Sequence, residues 1–360
     1  MDYRSRQQRF LELLEQRKLD AFLVTHLANV RYLCGFSGSS GVLATSGGRS
    51  AFFTDGRYTA QAREQATGLA VKIVRGNPLA AAAAWLKAGR ARRLGVEAEH
   101  VTLAQRESIR GFLPSRMRLA PESGLVERLR AIKDGDEVAC IREAINLASG
   151  LFPPILKRIR AGRREIEVAA ELEFAARRAG ASAMSFETIV ASGRRSALPH
   201  GVASSQAIAR KGFIVLDFGV ILAGYCSDMT RTVHMGRPGA WARGAYKAVL
   251  EAQRAALAAV GPGVAVGEVD GAARKVLVKA GLGRYFTHST GHGVGLEIHE
   301  APRIAKGLRD PLQPGMVITI EPGIYIPEKG GVRIEDMVLV TGKGCQVLTP
   351  TPKELIVLAG

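Results

Sequence analysis

Acidic residues inside otherwise apolar strands constrain this fold more than any other feature of the sequence. The first such segment is GFIVLDFGVILAGYCSDMTRT, in which Asp217 interrupts an apolar run and Asp228 follows eleven residues later. A turn near Ile221 to Gly224 predicts an antiparallel hairpin. We expect this hairpin to set Asp217 directly opposite Asp228 on one face, where two carboxylates would repel each other.

A second segment, MVITIEPGIYIPEKGGVRIEDMVLV, repeats the pattern with Glu321 and Glu335. Its turn lies within 327–331, so these two glutamates are also expected to face each other. Four half-buried carboxylates cannot all remain charged without cations. Arg231 or Arg333 could neutralise a single acid, but two opposed pairs favour divalent metal ions, and carboxylates that bridge two ions suit a two-metal site.

Three of the seven histidines fall within the segment HSTGHGVGLEIHEAP, at His288, His292 and His299. His292 stands between two glycines, which allow close backbone packing and a fixed direction for the imidazole. One imidazole with four carboxylates favours Mn²⁺ or Co²⁺ over a thiolate zinc site. The segment lacks the spacing and the lysine of a phosphate-binding P-loop. His200, in the loop SALPHG, is a further candidate because this loop could overhang the first hairpin.

The length of 360 residues and the order of predicted elements indicate two domains. The first third alternates strands with helices, which is typical of an α/β domain; its strands are expected at 20–26, 50–55, 69–76 and 92–98. The remainder combines helices with antiparallel hairpins, which indicates an α+β domain; its helices are expected at 137–160, 165–179, 240–260 and 266–281. A linker is expected near 125–135, followed by a helix whose cap is Asp136.

The net charge of +17 is concentrated in the first third of the chain. Residues 1–133 contain 22 Lys and Arg against 11 Asp and Glu, whereas residues 134–360 contain 28 against 22. A basic domain can attract nucleic acid or acidic partners, but these charges are scattered and no nucleic-acid motif accompanies them. Nucleic-acid binding is therefore not favoured.

The N-terminus MDYRSRQQRFLELLEQ predicts an amphipathic helix rather than a signal peptide, because charges interrupt its apolar residues. No apolar run approaches the roughly 20 residues that span a bilayer. The expected location is the cytoplasm, with no membrane partner. The four cysteines are widely spaced and predict neither a disulfide framework nor a zinc knuckle.

The segments LDFGVILAGYCSDMTRT, HSTGHGVGLEIHE, ITIEPGIYI and GGVRIED resemble the pita-bread metallopeptidases, which include methionine aminopeptidase, aminopeptidase P and prolidase, with creatinase as a metal-free relative. The segments YLCGFSGSSG and FFTDGRYTAQA resemble the N-terminal domain of aminopeptidase P and prolidase. The resemblance covers nearly the whole chain. It implies a creatinase-like α/β domain over 1–130 and an α+β pita-bread catalytic domain over 131–360.

The resemblance also assigns residues to roles. The implied metal ligands are Asp217, Asp228, His292, Glu321 and Glu335. The implied catalytic residues are His200 and His299, which hydrogen-bond the scissile carbonyl and the developing oxyanion, and Glu321, which moves a proton to the leaving nitrogen. The implied substrate-binding residues are His288, Arg333 beside the last ligand, and Arg303, which matches an arginine that holds the proline carboxylate in some prolidases.

The implied function is hydrolysis of the Xaa-Pro bond at the N-terminus of peptides, with a hydroxide that bridges two metal ions as the nucleophile. Mn²⁺ is the first choice of metal, with Co²⁺ or Zn²⁺ as alternatives, and a homodimer is expected. The choice between a broad aminopeptidase P and a strict prolidase stays open, with a slight preference for the broader enzyme. A non-catalytic binding module for protein or nucleic acid and a creatinase-like hydrolase are the rivals, and the intact ligand set counts against both.

Overall fold

The contacts of the computed structural model divide the chain into two units, Met1–Arg130 and Ala131–Gly360. A six-stranded mixed sheet lies at the centre of the first unit. The structure describes residues 1–89 and 91–360. The six strands are β1 (Ala21–Val24), β2 (Val42–Ser46), β3 (Arg49–Asp55), β4 (Ala70–Val74), β5 (Arg93–Glu97) and β6 (Arg118–Glu122). Their order across the sheet is β4-β3-β2-β1-β5-β6, and only β2 pairs antiparallel with its neighbours.

Helices alternate with these strands except between β2 and β3, which form a hairpin, so the first unit has the α/β organisation that the sequence predicts. They are α1 (Tyr3–Gln16), α2 (Leu27–Cys34), α3 (Thr59–Gln65), α4 (Pro78–Lys87), α5 (Leu103–Phe112) and α6 (Leu125–Ala131). Local signals explain their starts: the Asn77 side chain caps α4, and Thr102 and Gln105 form a reciprocal capping box at α5. Strands β2 and β6 were not predicted. Strand β6 is short and mostly not buried, and it contains Pro121, which is tolerated at a sheet edge.

The second unit contains four long helices and fourteen short strands. The helices are α7 (Gly135–Leu156), α8 (Glu165–Arg178), α9 (Ala240–Ala259) and α10 (Val266–Lys279). The first seven strands are β7 (Ala183–Met184), β8 (Ile189–Ser192), β9 (Gly212–Phe218), β10 (Val220–Leu222), β11 (Tyr225–Cys226), β12 (Met229–Met235) and β13 (Gly291–Gly293). The last seven are β14 (Glu300–Ile304), β15 (Val317–Ile320), β16 (Gly323–Ile326), β17 (Gly330–Arg333), β18 (Asp336–Thr341), β19 (Gly344–Val347) and β20 (Val357–Leu358).

Each helix pair covers one of two larger sheets, which makes the second unit α+β as predicted. The sheet β20-β12-β9-β8 shares a hydrophobic core with α7 and α8, to which Ala148, Leu172 and Leu216 belong. The sheet β14-β13-β15-β18-β19 shares a core with α9 and α10 through residues such as Ala252, Ala273 and Ile318. Within the described ranges, no helix is long and apolar enough to cross a membrane.

The predicted linker and helix cap differ from the structure. Residues 125–131 of the expected linker form helix α6. The cap of α7 is Asp134 rather than Asp136: its carboxylate accepts from the Glu137 N–H at 2.9 Å, while the Glu137 carboxylate accepts from the Asp134 N–H at 3.1 Å. This reciprocal capping box satisfies two backbone donors and starts the helix at Gly135.

The register of the first acidic hairpin also differs from the prediction. Asp217 lies opposite Thr230, not Asp228. The turn consists of Ala223 and Gly224, both with positive φ (50° and 87°), and Leu222 pairs with Tyr225 around it. Two central residues with positive φ form a tight two-residue turn, so the hairpin is centred one residue later than expected. Asp228 therefore keeps the face of Asp217 but lies two residues further along that face.

The second acidic hairpin has the predicted register. Ile320 pairs with Asp336 and Gly323 with Arg333, so Glu321 and Glu335 lie level with each other between these pairs. The strands are interrupted at this level, because β15 and β18 belong to one sheet and β16 and β17 to another. This interruption leaves both glutamates at strand ends, beside the edge of the cavity described next.

Candidate active site

One cavity of about 630 Å³ in the second unit is lined by every site residue that the sequence analysis proposed. They are His200, Asp217, Asp228, His288, His292, His299, Arg303, Glu321, Arg333 and Glu335. They come from segments more than 130 residues apart in the chain. The α+β fold brings them together because the ends of its sheets converge on this cavity.

The acidic side chains form a compact group around His292. One donor atom from each of Asp228, His292 and Glu335 lies within 4.8 Å of the others. The Nε2 atom of His292 is 3.6 Å from Oδ2 of Asp228 and 3.4 Å from Oε1 of Glu321. These distances place three carboxylates and one imidazole around a common point.

Burial makes the negative charges of this group costly in the absence of a cation. Burial, and next the charge of Glu335, raise the pKa of Asp228 well above its usual range. Burial and the charge of Glu321 likewise raise the pKa of Glu335, and burial raises the pKa of Glu321 to about 7. These clustered carboxyl groups resist ionisation. They can all be ionised together only if positive charge lies beside them.

A hydrogen bond fixes the orientation and tautomer of His292. Its Nδ1 lies 3.0 Å from the carbonyl oxygen of Gly293, which can only accept, so Nδ1 carries the proton. Burial lowers the pKa of His292, which keeps the ring neutral. The lone pair of Nε2 therefore points at the carboxylates, in the state in which histidine binds metals.

Arg333 is the cation that the chain itself supplies to this group. Its Nη2 donates to Oδ2 of Asp217 at 2.5 Å, and its Nε donates to Oγ1 of Thr230 at 3.1 Å. Thr230 in turn donates to Oε2 of Glu335 at 2.7 Å. One guanidinium cannot neutralise four acids, and it leaves the buried Oδ1 of Asp217 without a hydrogen-bond partner among the described residues.

The donors fit divalent cations. An orphaned buried carboxylate oxygen, carboxyls with raised pKa values and a neutral imidazole with a free lone pair are all satisfied by bound positive charge. The set is rich in hard oxygen donors and contains no thiolate, which matches Mn²⁺ or Co²⁺ better than a structural zinc site. The residues that would hold the ions are Asp217, Asp228, His292, Glu321 and Glu335.

His288 belongs to a relay that was not predicted. Its Nδ1 donates to the carbonyl of Ser289 at 2.7 Å, so its Nε2 accepts from the Tyr325 hydroxyl at 2.9 Å. The Tyr325 oxygen also accepts from Nη1 of Arg333 at 2.6 Å. Burial lowers the pKa of His288 to about 4 and raises the pKa of Tyr325 to about 12. The histidine therefore holds Tyr325 and Arg333 in place as a neutral acceptor.

This arrangement predicts a pH-dependent contribution of His288 to stability. An unfolded histidine titrates near pH 6.5, so the unfolded chain binds more protons than the folded chain between pH 4 and 6.5. We compare the free energy of unfolding of wild type with that of His288→Gln. The difference, wild type minus variant, should increase by up to about 3 kcal/mol as the pH rises from 4 to 6.5. Urea unfolding of both proteins in chelator measures it. The control is the same comparison of wild type with His200→Gln, which changes an exposed histidine. If the stability differences for the two variants depended equally on pH, the prediction would be contradicted.

The remaining proposed residues lie on the solvent side of the cavity. His200 is exposed and follows Pro199, whose carbonyl accepts from Nη1 of Arg333 at 3.1 Å. The rings of His299 and His292 meet edge to face with centroids 4.4 Å apart, and burial lowers the pKa of His299. Arg303 is exposed and lies directly opposite His292 in the β13–β14 pair. All three side chains are therefore available to a molecule in the cavity.

Several residues of the site were missed by the sequence analysis. Thr230 and Tyr325 connect Arg333 to Glu335 and His288. The wall is completed by Phe186, Glu187, Ile189, Pro199, Val202, Ser289, Ile298 and Glu300. A signal existed for Thr230, which lies two residues after Asp228 on the same strand face. No local signal marks Tyr325, because its partners come from distant segments.

An α+β fold with an acidic cavity suited to divalent cations is typical of metal-dependent hydrolases. Residues 139–342 match Metallopeptidase family M24, and residues 6–132 match the Creatinase/Prolidase N-terminal domain. The chain therefore belongs to metallopeptidase family M24. This assignment confirms the predicted pita-bread class and the predicted class of enzyme.

Individual proteins are similar to the chain over nearly its whole length. The Xaa-Pro dipeptidase of Pyrococcus horikoshii is 37% identical over 355 residues, which are 97% of each chain. The solved structure of the Xaa-Pro dipeptidase from Bacillus anthracis has a TM-score of 0.96 and 42% identity, and it covers 99% of this chain and 100% of that one. The X-Pro aminopeptidase from Thermotoga maritima has a TM-score of 0.90 and 36% identity, with 97% and 100% covered.

Proposed function

We propose that the chain is a dinuclear-metal hydrolase that cleaves the Xaa-Pro bond at the N-terminus of peptides. The observation that carries this proposal is the convergence of four carboxylates, His292 and two further accessible histidines on one cavity. Similar proteins named as an Xaa-Pro dipeptidase and an X-Pro aminopeptidase support the choice of substrate. Residues 131–360 are then the catalytic domain, and residues 1–130 the creatinase-like N-terminal domain.

The five proposed ligands would hold two divalent ions, with Mn²⁺ the first choice and Co²⁺ or Zn²⁺ as alternatives. When bound, such ions lower the pKa of a water that they share and supply hydroxide near neutral pH. Arg333 and Thr230 keep the ligand side chains in position, since they hydrogen-bond Asp217 and Glu335. Mutation of residues that hydrogen-bond metal ligands typically lowers metal affinity about tenfold or more.

The chain's own residues would supply the proton transfer and the stabilisation of the oxyanion. His200 and His299 are accessible in the cavity and are assigned to donate hydrogen bonds to the scissile carbonyl as its charge develops. Glu321, whose Oε1 accepts from Oγ1 of Thr319 at 3.3 Å, is assigned to pass a proton to the leaving proline nitrogen. Each assignment uses a group within reach of a substrate in the same cavity.

Proline selectivity must come from shape, because the substrate nitrogen is tertiary and offers no N–H to recognise. The cavity wall contains apolar side chains suited to a pyrrolidine ring, among them Phe186, Ile189, Val202 and Ile298. Arg303 is exposed beside His292 and suits bidentate binding of the carboxylate of a dipeptide. The choice between a broad aminopeptidase and a strict dipeptidase depends on whether Arg303 takes this role.

The test is hydrolysis of Ala-Pro, Ala-Pro-Ala-Ala and Ala-Ala by metal-stripped protein with and without Mn²⁺ or Co²⁺. We expect alanine release from both proline peptides, only with metal, and none from Ala-Ala. Cleavage of Ala-Pro alone would identify a strict prolidase and assign Arg303 as the carboxylate anchor. Activity that survives complete metal removal would contradict the dinuclear mechanism.

The rival from another class is a non-catalytic binding module, for which the charge of +17 is the support. Failure to cleave any peptide with metal bound, together with salt-dependent retention of nucleic acid, would favour it. The homodimer stays a prediction from the family resemblance, and size-exclusion chromatography with light scattering tests it. The cytoplasmic location stays a prediction from the N-terminal segment and the lack of a long apolar run.

A further inference from the structure

Two carboxylates of the cavity wall are not used by the proposed reaction, Glu187 and Glu300. Glu300 pairs with Nζ of Lys133 at 3.1 Å, so Glu187 is the one of interest. Glu187 lines the cavity and its side chain is exposed. Across the described part of the chain, its carboxylate takes part in no hydrogen bond or ion pair. It is therefore available to a ligand in the cavity.

The surroundings of Glu187 are apolar on the same wall. Phe186 precedes it, and Ile189 follows two residues later as the first residue of β8. Ile189 lies directly opposite Asp217 in the β8–β9 pair, so this wall begins beside the acidic group. A side chain with an apolar stem and a cationic tip matches a wall of this composition.

A second unpaired charge, of opposite sign, lines the same cavity. Arg303 is exposed and, like Glu187, forms no ion pair with any residue that the structure describes. The two therefore do not neutralise each other although they share one cavity. Such an arrangement offers separate anchors for a positive and a negative group of one ligand.

We propose that Glu187 selects peptides whose first residue is lysine or arginine. This inference depends on the proposed Xaa-Pro peptidase function and adds the class of first residue to it. The aliphatic stem of the side chain would lie along Phe186 and Ile189, and its cationic tip would hydrogen-bond the Glu187 carboxylate. A hydrogen bond between charged groups contributes about tenfold in affinity.

The test compares lysyl-proline with norleucyl-proline, which has a stem of similar length and no charge. Wild-type protein loaded with Mn²⁺ should show a higher kcat/KM for lysyl-proline, and Glu187→Gln should lower the ratio of the two values about tenfold. Glu187→Lys should reverse the preference and favour glutamyl-proline. Glu173→Gln, at an exposed glutamate of α8 outside the cavity lining, is the matched control and should keep the wild-type ratio.

Binding separates this inference from the proposed reaction. Calorimetry of the Mn²⁺-loaded proteins with Lysψ[CH₂N]Pro and Nleψ[CH₂N]Pro, in which a methylene replaces the scissile carbonyl, requires no hydrolysis. We expect the lysyl analogue to bind about tenfold tighter to wild type, and Glu187→Gln to remove this difference. Equal binding of both analogues to wild type, or an equal loss of both in Glu187→Gln, would overturn the role of Glu187. Loss of peptide cleavage with this binding preference intact would overturn only the proposed reaction.

Discussion

Asp228→Asn is expected to lower kcat/KM for Ala-Pro on the order of a thousandfold, since the loss of one charge from the proposed metal ligands would cost several kcal/mol of transition-state stabilisation. Oδ2 of Asp228 lies 3.6 Å from Nε2 of His292, and the side chain belongs to the three-residue donor group with Glu335. Asparagine keeps the size of the side chain but not its charge. Steady-state kinetics at saturating Mn²⁺ measures the loss.

The same variant separates a loss of metal from a loss of fold. Burial and the nearby acid Glu335 oppose the charge of Asp228, as the raised pKa of its carboxyl indicates. Metal-free Asp228→Asn should therefore unfold at a temperature no lower than metal-free wild type, while the increase in Tm on adding Mn²⁺ should be lost. Asp310→Asn, at an exposed position, is the control. A metal-free variant that unfolds well below wild type would show that Asp228 has a structural role instead.

The acidic residues could be predicted from the sequence because their apolar flanks set them apart. Their pairing could not be predicted completely, because it depends on the turn. Ala223 adopts a φ of 50°, which a non-glycine residue rarely takes, and this moves the first hairpin by one residue. In the second hairpin, the turn residues gave the correct register, but the interruption of the strands at Pro322 was missed although proline cannot complete a sheet ladder.

The side chains that support the site were beyond local patterns. Tyr325 acts through Arg333 and His288, and Thr290 is held by Asp270, whose carboxylate also pairs with Arg274. Except for the Asp270–Arg274 pair within α10, these contacts join different elements of the fold, so neither composition nor spacing marks them. The roles given to His200, His299 and Arg303 came from the family resemblance, since a single histidine or arginine in a loop has no chemistry of its own to identify it. The long helices α7 to α10 were predictable because their periodicity extends over several turns.

The second large effect is expected from substitution of Gly291, one of the two glycines beside His292. An ideal Cβ on Gly291 would lie 1.9 Å from the carbonyl oxygen of Thr319, where no atom can be accommodated. Gly291→Ala must therefore move β13 away from β15 and with it His292, whose N–H donates to Oγ1 of Thr319 at 3.1 Å. We expect a loss of about 4 kcal/mol or more in the free energy of unfolding, as for the most disruptive core substitutions.

The expected consequences of Gly291→Ala for function are loss of the Mn²⁺-induced rise in Tm and loss of Ala-Pro cleavage, because the imidazole no longer faces Asp228 and Glu321. Gly271→Ala is the matched control: it lies in the middle of α10, and nothing lies within 4 Å of the added Cβ. That variant should be stabilised by roughly 0.5–1 kcal/mol, since alanine favours a helix interior over glycine. Urea unfolding and metal titration of both variants test the pair. If Gly291→Ala retained wild-type stability and metal binding, the close approach of β13 and β15 would not be what holds His292 at the carboxylates.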